Sequence, residues 1–219
     1  MQIGLVGGTG KEGSGLAMRW AQAGHSVRIG SRDPIRGKER ARELSEQAQV
    51  TIEGGDHQQA IQNSEVVIVC VPYSAHAATF SALREFLVPE QIVVDVTVPL
   101  RPPKVSRVHL PPGQAAALEA AEILGDHARL VASVHHISAP HLAALEHPID
   151  SDILVCGDDK DAKQAMITLA NDLGARGLDA GALANSIALE ALTPVLIHMN
   201  KAYGSRGTGV RITGIDKES

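Results

Sequence analysis

Aromatic residues are scarce in this sequence: Phe, Trp and Tyr make up 2% of the 219 residues, whereas 44% are hydrophobic. The interior must therefore be built mainly from Ala, Val, Ile and Leu. Such an aliphatic interior is typical of an α/β sheet covered by helices on both faces. The 21 glycines agree with this fold class, because it requires many tight turns between strands and helices.

Cysteine, positive charge and long apolar runs are also lacking. Cys70 and Cys156 are the only cysteines, which excludes a disulfide framework and indicates a reducing compartment. The net charge of −5 argues against a nucleic-acid partner, since phosphate backbones are bound by clustered Lys and Arg. No apolar run approaches the roughly 18–20 residues of a membrane span, and the first residues resemble a strand rather than a signal peptide. We therefore expect a cytoplasmic protein that binds neither nucleic acid nor membrane.

The order of apolar and amphipathic segments predicts the fold class. Short strands alternate with helices from residue 2 to residue 134, and the segment 65–71 is apolar without alternation. A parallel strand covered on both faces has this pattern. We predict an α/β fold: a Rossmann-type, mostly parallel sheet over residues 1–140, with a smaller C-terminal α/β unit over residues 141–219.

Local signals predict several helix ends. Asp33 followed by Pro34 is typical of an N-cap and the first helical position. Asp158 is predicted to cap the next-to-last helix. The last helix is predicted over residues 182–202, with a kink at Pro194, because proline removes one helical hydrogen bond.

A glycine-rich turn follows the first predicted strand. Residues 8–13, Gly-Thr-Gly-Lys-Glu-Gly, match G-x-G-x-x-G and open the first predicted helix. In this motif the first glycine permits a tight turn, the second lets the backbone approach a pyrophosphate, and the third lets the helix pack on the strand. The helix N-terminus then offers free N–H groups to phosphate. The context predicts dinucleotide binding, and a plain glycine turn is the alternative.

A basic pair follows the second predicted strand, where NAD-selective enzymes carry an acid. The strand ends in Gly30-Ser31-Arg32, and Arg36 lies one helical turn further on. A guanidinium group binds a 2′-phosphate in bidentate fashion, and the Ser31 hydroxyl can donate to it. Asp33 is assigned to helix capping. The pattern predicts NADP rather than NAD, with two ordinary solvated arginines as the alternative.

The chain resembles the NADPH:coenzyme F420 oxidoreductase family over most of its length. The matching segments follow the order found in the family, and the later ones are more specific than the glycine motif. They are IGLVGGTGKEGSGLA at 3–17, GSR at 30–32, VPY at 71–73, SVHHISA at 133–139, VCGDD at 155–159, LDAGALANS at 178–186 and ALTPVLI at 191–197.

This resemblance implies an NADP-dependent oxidoreductase that passes a hydride between NADP(H) and the deazaflavin of coenzyme F420, working as a homodimer. Residues 1–140 would bind NADP, and residues 141–219 would complete the deazaflavin cleft. The residues implied to bind NADP are Gly8, Thr9, Gly10, Lys11, Glu12, Gly13, Ser31, Arg32 and Arg36, with Val71, Tyr73, Val98 and Ala139 on the nicotinamide side. Those implied to contact the deazaflavin are His135, Ile137, Ser138 and Thr208.

Hydride transfer between two flat rings requires neither a nucleophile nor a metal, because the coenzymes carry the reaction. We therefore assign no catalytic acid, base or nucleophile. The spacing of His135, His136 and His141 does not match a zinc motif. His135 itself is either a packing residue or a ligand contact, and the apolar face of the last helix is either core or dimer interface.

Two other functions remain open at this point. One is an NADPH-dependent reductase of another acceptor: a flavin, a ferric chelate, an imine or a carbonyl compound. The imine and carbonyl cases require a proton donor aimed at the substrate. The other is a non-catalytic redox sensor that binds NADP and a protein partner. It remains open because a fold alone does not specify a function.

Overall fold

The computed structural model describes residues 1–205 and 207–215. Within these residues the chain forms one sheet with the strand order β3-β2-β1-β4-β5-β6-β7-β8. The strands are β1 (Gln2–Val6), β2 (Ser26–Ser31), β3 (Ile52–Asp56), β4 (Val66–Val69), β5 (Ile92–Asp95), β6 (Arg129–Ser133), β7 (Asp152–Gly157) and β8 (Arg176–Asp179). The α-helices are α1 (Lys11–Gln22), α2 (Pro34–Ala48), α3 (His57–Ile61), α4 (Tyr73–Leu83), α5 (Ala116–Leu124), α6 (Ala139–Ala143), α7 (Lys160–Asp172) and α8 (Ser186–Tyr203).

The predicted fold class is confirmed. Neighbouring strands pair in parallel throughout, except that β6 and β7 are antiparallel, with Ala132 opposite Cys156. The sheet therefore continues past residue 140, so residues 141–219 add two strands to the same sheet. The division into two functional units stays a prediction.

Aliphatic side chains fill both faces of the sheet, as the composition predicts. One face packs against α1, α2 and α7, and the other against α3, α4 and α5. Two of the five aromatic side chains lie inside: Trp20 on the first face and Phe80 on the second are fully buried. The Trp20 ring donates its N–H to the carbonyl of Leu169 at 2.9 Å, which satisfies its one polar atom. No helix in the described ranges has both the length and the apolar character needed to cross a bilayer.

One predicted cap is confirmed and one is wrong. The Asp33 carboxylate accepts from the N–H of Ile35 at 2.9 Å, with Pro34 at the first helical position. Helix α7, however, is capped by Asp159, which accepts from Ala162 N–H at 2.7 Å. Asp158 instead accepts from the N–H of Leu183 at 3.0 Å. Two consecutive aspartates suit the cap equally, and the contact with a distant segment decides between them.

Several elements depart from the sequence prediction. Helix α8 begins at Ser186, after a 3-10 turn over Leu183–Asn185, rather than at residue 182, and Pro194 does lie inside it. Strand β8, RGLD, was not predicted, because it has little apolar sequence and lies at the sheet edge. Helix α3 was not predicted either, although Asp56 and Gln59 form a capping box at its start.

Candidate functional site

A cavity of about 620 Å³ opens at the carboxyl ends of the central strands. Its walls are the turn into α1, the segments that follow β4, β5 and β6, one side of α8, and the tail near Thr208. The strand order reverses between β1 and β4. Open α/β sheets bind ligands at this kind of switch point, outside the carboxyl ends of the strands.

The structure brings most of the predicted site residues to this one cavity. Twelve of the seventeen line it: Gly10, Lys11, Glu12, Gly13, Val71, Tyr73, Val98, His135, Ile137, Ser138, Ala139 and Thr208. The other five do not line it: Gly8 and Thr9 precede α1, and Ser31, Arg32 and Arg36 lie at the end of β2 and the start of α2. The role of each residue in binding stays a prediction.

Other residues of the cavity wall were not assigned by sequence reasoning. They are Cys70, Pro72, Ser74, Val96, Thr97, Leu100, Pro102, Val105, His136, Thr193, Leu196, Ile197 and Asn200. The ALTPVLI segment, which contains three of them, was available as a signal. The residues after Val98 come from a proline-rich loop whose path no periodicity predicts.

The glycine turn shows why small residues are needed, with one correction to the prediction. The left-handed residue is Gly7, with φ of 75°, rather than Gly8. At Gly8 an added Cβ would lie 2.8 Å from the Ile29 Cβ, and at Gly13 it would lie 2.7 Å from the Gly8 Cα. The first motif glycine therefore serves close packing, and the residue before it makes the turn.

The start of α1 is open to a ligand. Gly10 occupies the N-cap position, and no side-chain hydrogen bond caps the helix there. The first N–H groups of a helix have no partner within the helix and carry positive potential. This arrangement suits a phosphate.

Two arginines without ion pairs lie at the end of β2. Arg32 and Arg36 are exposed, and neither forms an ion pair among the described residues. Ser31 is buried, and its hydroxyl accepts from the N–H of Asp33 at 3.3 Å. The Asp33 carboxylate accepts from the first N–H groups of α2, and it forms no ion pair with either arginine among the described residues.

Tyr73 is held by a carboxylate on the cavity wall. Its hydroxyl donates to Glu119 Oε2 at 2.8 Å, and Glu119 Oε1 accepts from the Gly113 N–H at 3.1 Å. Desolvation and the hydrogen bond to Glu119 raise the pKa of Tyr73 to about 12. The phenol is therefore protonated, and its proton is committed to Glu119.

His135 is a buried ring with no partner. Both ring nitrogens are buried and lack a hydrogen bond among the described residues. Burial lowers the pKa of His135 to about 4, so the ring is neutral near pH 7 and carries one N–H. Its backbone carbonyl accepts from the Thr193 hydroxyl at 2.7 Å, which fixes the segment. Because buried polar atoms normally have partners, the unpaired ring favours a ligand contact over simple packing.

The neighbouring histidine is structural. The His136 ring is 2.9 Å from the Asp152 carbonyl, and burial lowers its pKa. Among the described residues, His, Cys, Asp and Glu side chains do not group in threes that could hold a metal ion.

A buried pair that sequence reasoning missed supports two cavity walls. His76 Nε2 of α4 lies 2.7 Å from Asp95 Oδ2 at the end of β5, and both side chains are buried. Asp95 Oδ1 also accepts from the Thr97 N–H at 3.0 Å. The pair ties the start of α4 to the segment after β5. No spacing rule joins two residues of unrelated elements, so nothing in the sequence indicates this contact.

The surroundings of the thiol in the cavity disfavour its thiolate form. Burial raises the pKa of Cys70, and the nearby Glu12 and Asp95 carboxyl groups act in the same direction. Desolvation also raises the pKa of Glu12 to about 8. A protonated thiol is a weak nucleophile. The absence of a catalytic nucleophile stays a prediction.

The tail after α8 contacts both α8 and β7 and reaches the cavity. Thr208 donates its N–H to Asn200 Oδ1 at 2.8 Å and its hydroxyl to the Leu196 carbonyl at 3.2 Å. Val210 then accepts from the Asp152 N–H at 2.7 Å. These contacts place Thr208 on the cavity wall.

Known proteins resemble this chain along its whole length. The profile of a family described as "NADP oxidoreductase coenzyme F420-dependent" matches residues 2–99. The F420-dependent NADP reductase of Methanocaldococcus jannaschii is 37% identical, with 99% of this chain and 100% of that protein covered. The enzyme of the same name from Methanothermobacter thermautotrophicus is 34% identical, with 100% and 97% covered.

A solved structure shows the same arrangement of elements. A crystal structure of a candidate F420-dependent NADP-reductase from Arthrobacter sp. FB24 superposes with a TM-score of 0.81 at 25% identity. The superposition covers 97% of this chain and 99% of that one. The likeness therefore includes the last two strands and α8.

Proposed function

Because this chain belongs to the F420-dependent NADP reductase family, we propose that it transfers a hydride between NADP(H) and the deazaflavin coenzyme F420. The predicted resemblance is thereby confirmed. The observation that carries the proposal is the single cavity that joins the glycine turn of α1 to the buried, unpartnered ring of His135. The two coenzymes supply the hydride donor and acceptor, and the protein supplies binding, orientation and exclusion of water.

The NADP part of the proposal rests on charge and open amides. The uncapped start of α1 would hold the pyrophosphate through its free N–H groups. Arg32 and Arg36 would hold the 2′-phosphate, with Ser31 beside them. Val71, Tyr73, Val98 and Ala139 would then line the nicotinamide, since all four lie on the cavity wall.

The deazaflavin part rests on the segment after β6. His135, Ile137 and Ser138 line the cavity together with Thr208 from the tail. The neutral His135 ring would donate its N–H to a polar edge of the deazaflavin and favour the charge of the reduced ring. In this proposal residues 1–140 bind NADP, and residues 141–219 complete the deazaflavin cleft.

Tyr73 and His135 are not arranged to act as the proton donor for a carbonyl or imine. A carbonyl or imine reductase requires a proton donor directed at the substrate. Tyr73 directs its proton at Glu119, and His135 is not protonated near pH 7. Neither of these two side chains is therefore a free acid, whereas desolvation raises the pKa of Glu12 on the same wall to about 8.

The exposed side of α8 supports a homodimer. Val195, Met199 and Tyr203 recur at every fourth residue and are 44%, 38% and 79% exposed. An apolar stripe of this kind on a helix is typical of an interface. The two free cysteines support a cytoplasmic, reducing location.

The proposed activity is tested by mixing the purified protein with NADPH and oxidised F420 and following the deazaflavin absorbance. Bleaching of the absorbance is expected. Reduction of a riboflavin derivative without F420 bleaching would favour the alternative reductase. Binding of NADPH without turnover of either acceptor would favour the redox sensor.

A further inference from the structure

A histidine lies beside the predicted 2′-phosphate site. His57 is the first residue of α3 and directly follows β3 at the carboxyl edge of the sheet. Strand β3 pairs in parallel with β2, with Ser31 opposite Asp56. The residue after each partner, Arg32 on one side and His57 on the other, therefore lies at the same edge.

Gly30 allows the two segments to approach closely. A Cβ added at Gly30 would lie 3.0 Å from the Cα of His57 and 2.9 Å from the Cβ of Ala60. Alternate residues of a strand share a face. Arg28, two residues before Gly30, meets α3 by donating to the Gln59 carbonyl at 3.0 Å. Arg32 is two residues after Gly30, so the same alternation places it on the side of the sheet that packs against α3.

The charges around His57 are few. The pKa of His57 is lowered, first by burial and second by the charge of Arg32, while Asp56 opposes the shift. The Asp56 carboxylate is engaged as the α3 cap, accepting from the Gln59 N–H at 2.7 Å. Further along the same strands, Arg28 is paired with Glu53. His57 is thus a neutral, half-buried ring that faces an arginine without an ion pair.

We propose that His57 is a further, proton-linked contact to the 2′-phosphate of NADP, acting together with Arg32. This inference rests on the NADP binding proposed above. A phosphate beside Arg32 compensates the guanidinium charge and adds a negative charge of its own. Both changes favour protonated His57, so the ring takes up a proton when NADPH binds and then donates a charge-assisted hydrogen bond. Binding of NADPH is therefore tightest at the lower pH and weakens as the pH rises and the bound ring loses its proton.

The test compares His57→Gln with the parent protein. Glutamine keeps a neutral donor and does not titrate. The dissociation constants of NADPH and NADH are measured by fluorescence at about pH 6 and about pH 8, at constant ionic strength. His127→Gln serves as the matched control, since His127 lies after α5 and bonds the Leu124 carbonyl at 2.9 Å.

The expected result is a difference between the proteins in the pH dependence of NADPH binding. Titration of the phosphate itself affects all three proteins equally, so it cancels in this difference. From the lower to the higher pH, NADPH binding by the parent and by His127→Gln should weaken about five- to tenfold more than binding by His57→Gln. Binding of NADH should be equal in all three proteins, which also reports that the variants are folded. Calorimetry in buffers of different ionisation enthalpy should show proton uptake near pH 7 that His57→Gln lacks.

One outcome is an equal pH dependence of NADPH binding in the parent and His57→Gln, with NADPH still preferred to NADH. It would overturn the role of His57 but not the proposed 2′-phosphate site. A parent protein that binds NADPH no more tightly than NADH would overturn the proposed 2′-phosphate site as well. The two failures are therefore distinguishable.

Discussion

The hydroxyl of Tyr73 donates to a carboxylate oxygen of Glu119 across 2.8 Å, which joins the first residue of α4 to α5. The same carboxylate accepts from the Gly113 N–H, so one side chain contacts both the start of α4 and the segment before α5. We therefore expect Tyr73 to act on the shape of the cavity wall rather than as an acid.

Replacing Tyr73 with phenylalanine tests this relationship. The variant keeps the ring and loses the hydrogen bond, so unfolding by urea should require about 1 kcal/mol less free energy. The catalytic efficiency with NADPH and F420 should fall about tenfold at most, because the wall loosens but no proton donor is removed. A loss of about a thousandfold or more would assign the hydroxyl a chemical role and favour carbonyl or imine reduction.

Arg32→Ala should weaken NADPH binding far more than NADH binding. The guanidinium acts on the 2′-phosphate, which NADH lacks, and a bidentate charge-assisted contact corresponds to roughly a ten- to hundredfold change in the dissociation constant. Arg42→Ala, on the exposed side of α2, is the control and should leave both constants unchanged. An equal loss for the two nucleotides would contradict the assignment.

Arg19 is expected to be the most costly arginine to replace. Its buried guanidinium donates to five carbonyls, those of His141, Leu142, Ala144, His147 and Leu173. These hydrogen bonds join α1 to the segment after β6 and to the end of α7. Arg19→Met removes a donor from each of these carbonyls, of which that of Ala144 keeps the His147 N–H. The loss should lower the free energy of unfolding by about 3 kcal/mol in a urea titration. Arg42→Met should change it by less than about 0.5 kcal/mol. Equal effects in both variants would show that the carbonyls find other donors.

The buried His135 ring should make stability depend on pH. Its folded pKa of about 4 lies below the ordinary value of 6.5, so the unfolded chain binds more protons between these two values. The contribution of His135 to the free energy of unfolding should therefore be constant above about pH 7 and fall as the pH approaches 4, by at most about 3 kcal/mol. The raised pKa of Glu12 acts in the opposite direction, so the contribution of His135 is read from the difference between the parent and the variant. His135→Phe should make that decline shallower, whereas the exposed His127→Gln should leave it unchanged. Chemical unfolding measures the pH dependence in all three proteins. The same dependence in all three would contradict the contribution assigned to His135.

Local sequence determined the parts of this protein that depend on a few neighbouring residues. Asp33-Pro34 starts α2 because a capping carboxylate and a fixed proline φ act within one turn. The glycines before and at the start of α1 permit the turn and the close packing, and the apolar run 66–69 forms a strand covered on both faces. Such signals also located Ser31 and Arg32 at the end of β2.

Tertiary structure alone decided which distant side chains meet. Tyr73 reaches Glu119 across 46 residues of chain, and His76 reaches Asp95 across 19. Backbone preferences and periodicity act over a few residues, so they do not specify such contacts. Strand β8 likewise forms because β7 offers it an edge with Leu178 opposite Leu154, although its own sequence has little strand character. The approach of His57 to the end of β2 was decided in the same way, by strand register rather than by any pattern along the chain.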